Sequence, residues 1–306
     1  MPKVSILMST ARGDFSMAGM PDVHIFEYLM SGLREQTFKD FEVVITDVDY
    51  ERRKNYFIEH PEEFPITHVP PKENVWLPKN YPAVSTCKNT GILNSKGEII
   101  IFTGDCSTFS KKYIDQVVYK IKKGTVITTT YNNSLGDKVL FKDARKESII
   151  QYTYGNVCYH IDDLIDLNGY EELFDGSVGL EDTNLGFRAN NRRKRILLIT
   201  VPVLYQQHRV RYVFKEQRAP RCMRMVEKLL YGKYKNVFRA NSIKITDEDI
   251  ETLLSCNELF DLDHKCPICG FPCRGYAFNK QFNEEDINLY RDLNFDLKKE
   301  RELNAS

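Results

Sequence analysis

The stretch Cys87–Asp105, C-K-N-T-G-I-L-N-S-K-G-E-I-I-I-F-T-G-D, constrains this chain more than any other. Its first part has the look of a helix that stops at Gly97. The run Ile99-Ile100-Ile101-Phe102 follows at once, with the length and β-branched content of a buried strand. A single acid, Asp105, waits at the strand's end. In open α/β sheets ligands bind just beyond the carboxyl ends of strands, so Asp105 stands where a charged ligand or a metal ion would be handled. The rest of the chain reads as the means of bringing a substrate to that acid.

The flanking sequence supplies the other parts of such a sheet. Val4–Met8 is a buried-strand pattern, and the small polar loop Ser9–Asp14 after it could approach a nucleotide closely or be a plain turn. Val23, Phe26, Met30 and Leu33 keep helical spacing from Asp22, an N-cap residue type, and the helix should end near Gln36. Phe41–Asp47 is a second strand ending in an acid, so a β-α-β unit with a right-handed crossover is expected. Prolines 61, 65, 70, 71, 78 and 82 exclude regular helix between Glu59 and Pro82, where Ile66–Val69 is a short strand pattern. Helix resumes near Ala83.

Beyond Asp105 the patterns predict helix over Ser110–Lys122 and strands at Thr125–Thr130 and Lys138–Phe141. A short strand over Gly155–His160, helix over Asp162–Leu167 and a turn at Asn168-Gly169 come next. Glu181 and Asp182 precede Leu185 and Arg188 as acids do at a helix N-terminus, where the dipole favours them. A strand over Ile196–Leu204 leads into Tyr205-Gln206-Gln207-His208. From about Arg218 the pattern is helical and more polar. Residues 1–217 therefore read as one α/β domain and 218–306 as an appended helical module, in which Thr246–Asp249 resembles a capping box and Asn283–Glu302 a solvated terminal helix.

Lys plus Arg and Asp plus Glu are both 43 among 306 residues, so no global field selects nucleic acid or membrane as the main partner. The N-terminus has no small-residue cleavage site and no apolar run reaches membrane-spanning length, which reads as cytoplasmic. Of the eight cysteines, Cys87, Cys106, Cys158 and Cys222 are scattered and read as buried reduced thiols. Cys256, Cys266, Cys269 and Cys273 are clustered. The C-P-x-C-G turn at Cys266–Gly270 lets two thiolates hold one ion, so the four are candidate ligands of a structural Zn²⁺, with His264 as an alternative to Cys256 and free thiols as the other reading.

In order and spacing, Val4–Arg12, Leu33–Asp47, Lys88–Asp105 and Asn168–Arg188 resemble the nucleotide-sugar-dependent family 2 glycosyltransferases. That resemblance implies the GT-A fold, a Rossmann-like mixed sheet flanked by helices, here with the C-terminal helical zinc-binding module added. It also implies an inverting transfer, in which an acceptor hydroxyl attacks the anomeric carbon as a nucleoside diphosphate leaves. By the same resemblance Asp182 matches the general base and Glu181 its acidic neighbour. Thr10, Arg12, Asp47, Lys88, Asn89 and Asp105 match donor-binding positions, Asp47 for the base or ribose and Lys88 for the diphosphate, with a solvated lysine as the lesser alternative.

The chain departs from the family at the metal motif. Relatives have Asp-x-Asp, whereas this chain has Gly104-Asp105-Cys106-Ser107. Asp105 is left as the firm carboxylate ligand for Mn²⁺ or Mg²⁺, with His208 a possible second ligand. The rivals are a catalytically decayed GT-A binding or scaffold protein and a nucleotidyltransferase, for which the glycine- and arginine-rich first loop is missing. Donor sugar, acceptor (saccharide, lipid, protein or modified base) and oligomeric state, to which the C-terminal module could contribute, are left open by the sequence.

Overall fold

The computed structural model describes residues 2–11, 26–79, 82–105, 107–132, 138–139, 156–175, 181–205, 239–241, 246–248 and 295–305. A nine-stranded mixed sheet runs through them. Its strands are β1 (Val4–Thr10), β2 (Phe41–Asp47), β3 (Ile66–Val69), β4 (Ile99–Gly104), β5 (Ser107–Phe109), β6 (Thr125–Asn132), β7 (Lys138–Val139), β8 (Val157–His160) and β9 (Arg195–Tyr205). The order across the sheet is β3-β2-β1-β4-β8-β6-β9-β5, with β7 paired to β6.

The register decides where the polar chemistry sits. β1 lies between β2 and β4 and is parallel to both, with Thr10 opposite Asp47 and Ser9 opposite Gly104. The carboxyl ends of these three strands therefore deliver Thr10, Asp47 and Asp105 to one edge of the sheet, the edge at which open α/β sheets bind ligands. β8 is antiparallel to β4 and to β6, and β9 is parallel to β6, so β4, β6 and β9 point the same way.

Two apolar layers cover the sheet. On one face α1 (Glu27–Arg34) and α5 (Tyr113–Lys120) bury Leu29, Met30, Leu33, Tyr113, Ile114 and Val117 against Ile6, Val43, Ile101 and Ile127. The i, i+3, i+4 spacing of these residues puts them on one helix stripe. On the other face α4 (Val84–Asn94), α6 (Ile161–Leu167) and α7 (Glu181–Asn191) enclose Leu7, Val44, Ile92, Ile100, Phe102, Leu164, Leu167 and Leu185. Each fully buried aliphatic side chain contributes on the order of 1.5–3 kcal/mol of transfer free energy. Two short helices, α2 (Tyr50–Arg53) and α3 (Tyr56–Glu59), connect β2 to β3. The two cysteines described, Cys87 and Cys158, are buried free thiols, as expected.

The end of the chain packs on the main sheet. Phe295 and Leu297 are 7% and 0% exposed and belong to the second core layer. The final helix, α8 (Leu297–Ala305), packs on α4, and its Arg301 donates to the Ile92 carbonyl and, at 2.9 Å, to Ser95 Oγ. Its Lys298 and Glu302 are exposed, as the solvated reading expects, while Phe295 and Leu297 anchor its start. Residues 239–241 also dock on the main domain, where Ala240 and Asn241 are buried.

Both returning segments meet at one turn. Asn168 ends α6 in the left-handed region (φ 59°), and Gly169 follows at φ 69°. The Asn168 amide donates to the carbonyls of Ala240 (2.6 Å) and Phe295 (2.7 Å), and its carbonyl oxygen accepts from the Leu297 amide (2.7 Å). Glycine is required at 169: a Cβ there would lie 2.6 Å from Asn89 Oδ1, on a backbone that side-chain-bearing residues rarely adopt. Below the turn Arg188, 1% exposed, donates to Asn184 Oδ1 and to the carbonyls of Leu167 and Gly169 at 2.7–2.8 Å. These bonds satisfy a cation that would otherwise be costly to bury.

Candidate functional site

Chain direction brings the acids and the lysine together. α4 lies in the crossover between the parallel strands β3 and β4, so its N-terminal end faces the carboxyl edge of the sheet. α7 runs into the start of β9, which puts the N-terminus of α7 at the same edge. Lys88, in the second turn of α4, thereby meets Glu181 and Asp182, the first two residues of α7. Its ammonium lies 3.0 Å from Glu181 Oε1, closer still to Asp182 Oδ1, and 4.6 Å above the centre of the Tyr170 ring. All three charged side chains are largely buried, at 12%, 7% and 11% exposure for Lys88, Glu181 and Asp182. Burial alone would lower the Lys88 pKa. The two carboxylates outweigh it and hold the ammonium above the ordinary lysine range.

The N-terminus of α4 is capped from far away in sequence. Its own cap residue, Ala83, offers no side-chain acceptor. The buried carboxylate of Asp175 accepts from the amides of Ser85 (2.7 Å) and Thr86 (3.0 Å) and from Thr86 Oγ1 (2.6 Å). Orphan amide donors at a helix start favour such an acceptor. Burial, reinforced by Glu172, pushes the Asp175 carboxyl up to about 8. Asp175 thus fixes the helix that carries Lys88 to the segment that leads into Glu181.

Asn89 does related work. Its amide donates to the Tyr170 carbonyl (3.0 Å) and to Glu172 Oε1 (2.8 Å), and its carbonyl oxygen accepts from the Tyr170 amide (2.8 Å). Expected at the donor, Asn89 is 0% exposed and its polar atoms are spent on the turn. Glu172 also pairs with Lys72 at 2.8 Å, whose ammonium lies 3.9 Å from the centre of the Phe295 ring.

At the strand ends Thr10 donates to Asp105 Oδ2 at 2.9 Å, joining the first and fourth strands across their carboxyl edge. Both residues are buried, and Asp105 keeps 8% of its surface. Asp47 is 0% exposed. Its carboxylate accepts from Arg53 Nε and Nη2 (2.8 and 2.5 Å), from the Asp49 amide (2.9 Å), and contacts His68 Nε2 at 3.0 Å. The imidazole of His68 is ringed edge-on by Phe26, Tyr50 and Phe57. Burial alone would raise the Asp47 pKa, but the His68 and Arg53 hydrogen bonds outweigh it and hold the carboxyl below its ordinary value.

Several of these residues carry no sequence signal of their role. Arg53 and His68 come from elements between the motifs, and Asp175 and Tyr170 act on partners 81 or more residues away. Arg12, His208, Cys256, His264, Cys266, Cys269 and Cys273 lie outside the described residues, as do Asp22 and Cys106. Among the described residues no group of three or more His, Cys, Asp or Glu is placed to hold a metal ion, and no helix is long and apolar enough to cross a membrane.

No protein-family model matches the sequence. No curated protein matches it either. Solved structures do. TarS 1–349 of S. aureus in complex with UDP-GlcNAc superposes with a TM-score of 0.60 at 16% identity, over 76% of this chain and 67% of that one. The same protein in complex with UDP gives 0.51 at 16% identity, over 67% and 60%. A longer TarS structure also gives 0.51 at 16% identity, and this chain spans only 37% of it. With the strand order, the shared carboxyl edge and these superpositions in hand, the chain has the GT-A fold of nucleotide-sugar glycosyltransferases.

Proposed function

We propose that this chain is an inverting glycosyltransferase that moves a sugar from a nucleoside-diphosphate donor to an acceptor hydroxyl. The observation that carries the reading is the convergence of Lys88, Glu181 and Asp182 at the edge where β1 and β4 present Thr10 and Asp105. The chemistry needs a base for the hydroxyl proton and positive charge for the departing diphosphate. Asp182 takes the proton from the acceptor hydroxyl and the oxygen forms a bond to the anomeric carbon. The bond from that carbon to the diphosphate oxygen breaks, and its electron pair leaves with the nucleoside diphosphate. Glu181 shares the Lys88 ammonium with the base.

A donor bound at the carboxyl edge would meet Thr10, Asp105 and Lys88, with Arg12 as a further contact from the first loop. Asp47 serves the nucleoside end through the strand terminus it braces, and Asn89 serves by fixing α4. The resemblance also implies a divalent cation. Asp105, with His208 as a second ligand, would hold Mn²⁺ or Mg²⁺, and both ions accept a set completed by diphosphate oxygens and water. Such a cation supplies charge neutralisation on the leaving diphosphate. UDP-GlcNAc is the first donor to try, because a structure that matches 76% of this chain holds it.

A thermal-shift series with UDP, GDP, CMP and dTDP, each with and without Mn²⁺, tests the reading. A ligand that binds only the folded state raises the midpoint by mass action, and 100-fold excess over Kd corresponds to about 2.7 kcal/mol. One nucleotide is expected to shift the midpoint more in Mn²⁺ than without it. No shift with any of the four would overturn the donor site in favour of a decayed binding protein.

For Cys256, Cys266, Cys269 and Cys273 the proposal of a structural Zn²⁺ site rests on spacing alone. Metal analysis of the purified chain is expected to find zinc that is lost in Cys269→Ser, and zinc-free protein with an unchanged unfolding midpoint would refute it.

A further inference from the structure

Lys88 occupies a position that the proposed reaction needs twice, and this inference rests on that reading. While its ammonium touches Asp182, the carboxylate is held ionised and is a weak base, because a cation in contact favours the charged form. A general base works best when its proton affinity is near the operating pH. A departing diphosphate needs a cation as well, and Lys88 lies at the ligand-binding edge on a flexible four-carbon stem.

We infer that Lys88 is exchanged between the two partners: it rests on Glu181 and Asp182 in the empty site and moves to the donor's diphosphate when donor binds. Exchange unmasks the base only after donor is in place. Donor binding is then required before Asp182 can act as a base.

The charges around Asp182 make the exchange readable. Glu181 stands beside it on α7, Lys88 faces it from α4, and Tyr170 and Tyr159 face it from the Asn168 turn and from β8. Burial raises both tyrosines above their ordinary value, so they stay neutral near pH 7. Arg188 is one to two turns along α7, held by Asn184 and two carbonyls. When Lys88 leaves, Asp182 loses the cation in contact with it, and loss of that contact favours its protonated form. When the nucleoside diphosphate departs, Lys88 returns and expels the proton that Asp182 took from the acceptor.

Calorimetric titration of the full chain with UDP-GlcNAc at pH 6, in two buffers of different ionisation enthalpy, measures that proton directly. Each phosphate of UDP-GlcNAc carries one ester and one anhydride bond and keeps only a strongly acidic oxygen, so the ligand contributes no titration of its own there. Proton uptake on binding is expected in the native protein and is expected to vanish in Lys88→Met. If Lys88→Met binds too weakly to titrate, Asp182→Asn is the second variant, expected to bind donor and to lose most of the uptake. Binding without uptake in the native protein would overturn the exchange and leave the donor site standing. Uptake that persists in Asp182→Asn would overturn it too. Failure of every nucleotide in the thermal-shift series would overturn donor site and exchange together.

Discussion

Replacing Asp182 with asparagine is expected to slow transfer by about 10²- to 10⁴-fold, the range in which a positioned general base contributes. Asparagine keeps the shape and one oxygen for Lys88, and Glu181, 3.0 Å from the same ammonium, keeps that side chain in place. The loss should therefore fall on kcat, with donor affinity changed only a few-fold, which separates a base from a donor contact. The measurement is release of nucleoside diphosphate from the donor selected by the thermal-shift series, together with titration of that donor. Unchanged kcat would take the base role from Asp182 and give the pair at the start of α7 a purely structural meaning.

Asp47→Asn is the second large effect, and it falls on stability. The native carboxylate is fully buried against Arg53, which is itself only 3% exposed in its side chain. Removing one partner of a buried pair leaves an uncompensated charge and costs about 3–5 kcal/mol. The pH dependence has a defined sign. Because the folded pKa is held below 3.8, the contribution of Asp47 is present above about pH 4 and is lost as pH falls through the folded value. Urea unfolding should show native and variant proteins far apart at pH 7 and converging in acid. A variant of native stability that no longer responds to nucleotide would assign Asp47 to the donor instead.

The sheet was largely legible because its strands are long apolar runs. Phe41–Asp47 and Ile66–Val69 are strands over the residues expected, and the expected strand at Ile99 extends two residues beyond Phe102. The four-residue helices α2 and α3 were not read, since one turn is too short to display a period, and three-residue β5 was missed for the same reason. The final helix is solvated over most of its length, and the charge at most of its positions conceals the anchoring Leu297 at its start. At the site, sequence order marked Lys88, Asp105, Glu181 and Asp182. It could not show that Lys88 grips acids 93 and 94 residues away. Nor could it show that Asn89, whose neighbour reaches the site, turns inward to hold a loop. Local patterns fix which residues lie on an element, whereas such pairings depend on how distant elements cross.

The Asn168 side chain has a consequence for how this protein can vary. One amide group binds the carbonyls of Ala240 and Phe295, so two points far apart in the sequence are held within the span of a single side chain. Closing a longer excursion between two fixed neighbouring points costs only about 0.6 kcal/mol for each doubling of length. Changes of length between Asn241 and Phe295 therefore cost little in closure, while Asn241, buried against Glu171 and Tyr170, has to stay. A lineage carrying this fold could vary the length of that stretch while Lys88, Glu181 and Asp182 kept their places.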